Sequence, residues 1–73
     1  MSKQIFYELK IQYPSIQSFV LQRAVKNTEG NETRLWICNI KSKTKIEEKE
    51  KKRIEEWLKV RIKAIELIIN FEG

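Results

Sequence analysis

The sequence predicts an α+β fold, a three-stranded antiparallel meander packed on one face by one long C-terminal helix. Three observations predict it. Residues 4–13 alternate between apolar and polar side chains, residues 16–40 hold two strand-like runs around a glycine-containing turn, and no Gly or Pro falls between Thr44 and Phe71. The last stretch is the most informative. At about 100° per residue, Ile54, Trp57, Leu58, Val60, Ile62, Ala64, Ile65, Leu67, Ile68, Ile69 and Phe71 fall on one broad arc, with Glu55, Glu56, Lys59, Lys63, Glu66 and Asn70 opposite. That arc is wider than the stripe an ordinary surface helix buries, so it points towards a partner.

The first strand is expected over residues 4–13. Ile5, Tyr7, Leu9, Ile11 and Tyr13 share one side, Glu8, Lys10 and Gln12 the other, and Phe6 is the exception. Pro14 stops the run because it has no amide hydrogen to give to a ladder. Residues 16–26 read as a second strand through the alternation of Phe19, Leu21 and Val25 with polar positions. A helix that starts near Pro14 and carries Ile16, Phe19, Val20 and Ala24 is the other reading. The next residues along the chain favour the strand. Asn27-Thr28-Glu29-Gly30-Asn31 is rich in turn formers, and Thr33–Ile40 is rich in strand formers, the pattern of a hairpin. This hairpin is apolar on both faces, with Leu35 and Ile37 on one and Trp36, Cys38 and Ile40 on the other. One helix covers one face, which leaves the second exposed or covered by another subunit.

The helix start is expected at Thr44, where Thr44 and Glu47 have the spacing of a capping box. Glu47–Lys51, Glu48–Lys52 and Glu55–Lys59 are i,i+4 pairs in the favourable orientation. The alternative ends the helix near Lys59, so that Ile65, Leu67, Ile69 and Phe71 alternate along a fourth strand. Their β-branched content supports it. The lack of a turn residue between Leu58 and Ile65 opposes it.

Seventy-three residues make one small domain, 1–73, with a marginal core. Cys38 is the only cysteine and there is no histidine, so neither an internal disulfide nor a structural zinc site is expected, and oligomerisation remains as the reinforcement. Fifteen Lys and Arg against ten acids, all of them Glu, give a formal charge of +5, which suits a polyanion. No leader and no membrane span is visible, and a lone cysteine fits the cytoplasm.

Catalysis has little to work with. Without His or Asp no nucleophilic triad forms, Cys38 sits in an apolar strand as an inert core residue, and two glycines cannot make a phosphate loop. No enzyme activity, cofactor or metal is therefore expected. Lys45, Lys49, Lys52, Arg53 and Lys59 share a helix flank, interrupted by Glu56, and Arg23 and Arg34 beside the hairpin turn extend the stripe. Such a flank can track phosphates, although a salt-bridged helix exterior looks the same in sequence. Phe6 and Trp36 are stacking candidates on a basic sheet face. Trp36, Ile62, Ile65, Ile68 and Ile69 are the expected self-association surface. The sequence thus points to a non-enzymatic, basic, dimeric binding module with nucleic acid as ligand. The alternative is a protein-interaction module, an adaptor or inhibitor, that uses the apolar helix and sheet face.

Overall fold

The chain runs helix, strand, strand, helix, strand in the computed structural model, which describes residues 2–72. The elements are α1 (Ser2–Gln12), β1 (Ile16–Thr28), β2 (Asn31–Ser42), α2 (Glu48–Ile62) and β3 (Leu67–Glu72). β2 is central, antiparallel to β1 and parallel to β3. The fold is α+β with three strands, as expected, but the sheet is mixed and there are two helices. The hairpin of β1 and β2 is as the sequence predicts, and Gly30 takes the left-handed conformation (φ 72) in its turn.

Residues 4–13 are helical rather than a strand. Their apolar alternation splits on a helix into two i,i+4 pairs. Ile5 and Leu9 are buried in the core, whereas Tyr7 and Ile11 are 56% and 81% exposed. Phe6, the exception to the strand pattern, packs against the same core beside Ile5. A short run of alternating residues satisfies both periods, and the inward row 5, 6, 9 is what a sheet face needs for cover.

The second helix stops at Ile62, close to the alternative reading and short of Phe71. Lys63 takes the left-handed conformation (φ 55, ψ 41), and the amides of Lys63 and Ala64 donate to the Val60 and Lys59 carbonyls. The job usually given to glycine is done by lysine. A non-glycine residue in this region costs roughly 1–2 kcal/mol. Burying Leu67, 7% exposed, contributes about 1.5–3 kcal/mol by itself, and the ladder with β2 adds to it. Strand pairing therefore outweighs the missing turn residue.

The helix start also moves. Glu47 is the N-cap and gives no side-chain cap bond, so Thr44 and Glu47 form no capping box. The Ser42 hydroxyl donates to the Thr44 carbonyl, and Ile46 dips into the core, which holds residues 43–47 out of the helix.

Register sorts the sheet into two faces. Phe19, Leu21, Trp36, Cys38, Ile40, Leu67, Ile69 and Phe71 face the helices and pack with Ile5, Leu9, Ile54 and Leu58. Val20, Ile37 and Ile68 lie on the other face, outside that cluster. Two links set the helices antiparallel: Arg61 donates to both Glu8 carboxylate oxygens at 2.9 and 3.0 Å, and the Tyr13 hydroxyl donates to Glu50 Oε2 at 2.8 Å. β3 pairs only with Trp36–Lys41, so beyond Trp36 the hairpin continues as a two-stranded ribbon. Lys26 on that ribbon reaches Glu66 at 3.1 Å.

The cap geometry is directly testable by urea unfolding. Thr44→Ala is expected to change stability by less than about 0.5 kcal/mol. Glu47→Ser supplies the missing acceptor and should raise stability by up to about 1 kcal/mol. A clear loss with Thr44→Ala would return the helix start to Thr44.

Candidate nucleic-acid interface

The sequence alternates around the exit of β2, and the structure turns that alternation into a charged pole. Ser42 and Ile46 are buried at 5% and 8%, while Lys41, Lys43 and Lys45 between and beside them are exposed. Lys43 is fixed there by its amide, which donates to the Ser15 carbonyl at 2.8 Å. α2 begins immediately afterwards, and its exposed side adds Lys49 and Lys52. Lys41, Lys43, Lys45, Lys49 and Lys52 make no ion pair among the described residues. The nearby acids are largely committed: Glu48 to Lys51 at 3.3 Å, and Glu50 to Arg53 at 3.5 Å and to Tyr13. Glu47 and Glu72 are the exposed carboxylates that remain at this end. The uncapped first turn of α2 adds the positive end of the helix dipole.

The stripe expected from sequence is therefore redistributed. Lys45, Lys49 and Lys52 come together with Arg53, although Arg53 is tied within the helix. Lys59 lies further along, paired with Glu55 at 3.8 Å. Arg23 and Arg34 stand at the opposite end, in a cleft with Lys63 beside the end of α2. Lys41 and Lys43 were missed by a reading that followed the helix period alone. The signal for them was the alternation in Lys41-Ser42-Lys43-Thr44-Lys45, a polar mirror of a strand pattern.

The stacking platform expected on the sheet is not formed. Phe6 lies on α1, Trp36 faces the helices, and the described residues of the helix-free face include no aromatic ring. Of the expected self-association residues, Trp36, Ile62 and Ile69 pack against the protein's own core. Ile68 is 45% exposed on the helix-free face, and Ile65 is 98% exposed in the turn before β3.

Cys38 is fully buried, and burial pushes its thiol up to about 12. The thiolate needed for nucleophilic work is thus absent at neutral pH. The described residues contain no group of His, Cys, Asp and Glu that would hold a metal ion, and none of their helices is long and apolar enough to cross a membrane.

A family model for a domain of unknown function, DUF8492, matches residues 1–72, and the chain belongs to that family. No curated protein and no solved structure matches it.

Burial of Cys38 sets a pH dependence. Because the folded thiol is raised above its unfolded value of about 8.5, its contribution to stability is complete below that pH and is lost as pH rises towards the folded value. Urea unfolding from pH 8 to pH 10 should show a decline that Cys38→Ala lacks. At pH 8 the native thiol should resist a disulfide reagent that modifies the unfolded chain at once. Rapid labelling of native protein would contradict the burial.

Proposed function

We propose that this protein is a non-enzymatic module that binds nucleic acid through the lysine pole where β2 ends and α2 begins. One observation carries the reading: Lys41, Lys43, Lys45, Lys49 and Lys52 are exposed, close in the chain and free of ion pairs among the described residues. Paired surface cations are already half neutralised and gain little from a phosphate. Unpaired ones can replace cations condensed on a nucleic-acid backbone and release them to solution. Lysines contact phosphates as point charges, so this pole favours affinity over sequence reading. The proposal places the protein in the cytoplasm, where nucleic acid is found and a lone cysteine stays reduced.

Lys43, Lys45 and Lys49 changed together to Gln should weaken binding to a mixed-sequence duplex. The slope of log affinity against log salt should fall by up to about 2.7, at ~0.9 per lost contact. These side chains are exposed, so the melting temperature should hardly move. Lys3→Gln on α1 is the control and should leave the slope almost unchanged. A triple variant with wild-type affinity and slope removes the pole from the account. A wild type that binds neither DNA nor RNA at low salt leaves the protein-interaction module, adaptor or inhibitor, in its place.

Self-association is a second reading, supported by the helix-free sheet face. Ile37 and Ile68 are cross-strand neighbours there, and Val20 lies diagonally beside Ile37. Val20 and Ile68 are 44% and 45% exposed. A face-to-face dimer buries this patch and leaves Lys43, Lys45, Lys49 and Lys52 of each copy free, although Lys41 shares the face. Sedimentation at micromolar concentration should give a dimer for wild type and a folded monomer for Ile68→Lys. A monomeric wild type contradicts it.

A further inference from the structure

At the far end of α2 from the lysine pole, a cleft of ≈650 Å³ opens between the ribbon and the turn that leads into β3. It is a shallow cleft, open to solvent, and what sets it apart is its lining. We infer that this cleft holds one unpaired nucleotide at the end of a bound nucleic-acid strand. The inference rests on the nucleic-acid reading above and adds to it a second contact of a different kind.

The ribbon wall comes from register. Arg23 pairs with Trp36 and Arg34 with Val25, so both arginines and the indole share the helix-side surface. The opposite wall is Ile62, Lys63 and Ile65, supplied by the end of α2 and the following turn. Arg23, Arg34 and Lys63 form no ion pair among the described residues, and Glu32 is the one acid in the lining. The Arg23 guanidinium lies 5.0 Å from the centre of the Trp36 ring. An arginine with no carboxylate partner is thus held over an aromatic face, with its donors available to a ligand.

The apolar part of the site is as unusual as the charged part. Ile65 is 98% exposed, although it sits next to the half-buried Ile62 and Ala64. Lys63 holds the left-handed conformation at φ 55, where glycine is the favoured residue. Glycine would relax the backbone and remove a cation from the lip of the cleft. The chain keeps the cation.

A nucleotide fits both halves. Its phosphate suits the guanidinium fork of Arg34 and the ammonium of Lys63. Its base has a flat surface to lay against the Arg23 guanidinium, which is itself seated on the Trp36 ring, and against Ile65. Position agrees with this. α2 is 15 residues long, so about 22 Å of helix separates the two basic regions. A strand held at the lysine pole and lying along α2 brings its end to the cleft. A continuous duplex presents no unstacked base there.

The test compares two labelled DNA hairpins at low salt by fluorescence anisotropy, one blunt and one with a four-nucleotide single-stranded overhang. Wild type should bind the overhang form about tenfold more tightly, the scale of one base stacked on a planar side chain. Arg34→Gln and Lys63→Gly should each lose most of that preference and bind the blunt hairpin as before. Lys63→Gly should also melt at a higher temperature than wild type, so its loss of preference does not come from unfolding. Equal wild-type affinity for the two hairpins overturns the inference and leaves the lysine pole standing. So does a preference that survives in both variants. Failure to bind either hairpin overturns the inference together with the reading it rests on. Binding of an acidic, leucine-containing peptide in the cleft, without overhang preference, makes it a protein-docking site and overturns the nucleotide assignment.

Discussion

The row Trp36, Cys38, Ile40 on β2 is the constraint on which the rest of the structure depends. β2 is the one strand with a neighbour on each side, and these three residues pair with β1 and β3 and belong to the core cluster that also holds residues of both helices. Cys38 and Ile40 are 0% and 1% exposed. With so short a chain there is no second layer to compensate for a loose one. Both helices are drawn to the same face because only that row is apolar along its whole length. The cost is a sheet whose back carries no helix: Leu35 is buried there, but Val20 and Ile68 remain in contact with solvent.

That arrangement also decides where charge goes. The paired cations hold the architecture: Arg61 joins the helices through Glu8, Lys26 ties the ribbon through Glu66, and Lys51 lies 5.5 Å from the Phe71 ring at the end of β3. The Arg61 guanidinium keeps the Glu8 carboxyl below its ordinary value. Apart from Lys3 and Lys10 on α1, the cations that make no ion pair among the described residues collect at the two ends of α2. One end is a set of exposed lysines beside a helix N-terminus. The other is a pair of arginines and a lysine around an apolar cleft. Under the proposed function the first attracts phosphate with little selectivity, and the second adds shape.

The hairpin was legible from residues 16–40 because turn chemistry and strand propensity agreed there, and Gly30 sits where the turn needs it. The burial of Cys38 was legible for the same reason. Residues 4–13 were misread because Ile5, Tyr7, Leu9 and Ile11 satisfy a period of two and an i,i+4 spacing equally, and only tertiary cover decides between them. The reach of α2 was misread because Lys63 breaks the rule that a helix stop needs Gly or Asn. That rule describes a local cost, and the pairing of Leu67–Glu72 with β2 exceeds it. Lys45, Lys49 and Lys52 were visible as a basic flank, but the helix period hid Lys41 and Lys43. The cleft of Arg23, Arg34 and Lys63 joins residues far apart in the chain and depends on a parallel pairing that no local pattern announces.

The most direct test of the central claim is backbone amide chemical-shift mapping with a mixed-sequence DNA duplex at low salt. Nucleic acid held at the lysine pole should shift residues 41–52 and spare Val20, Ile37 and Ile68 on the helix-free sheet face. Shifts centred on that sheet face with residues 41–52 unmoved would contradict it.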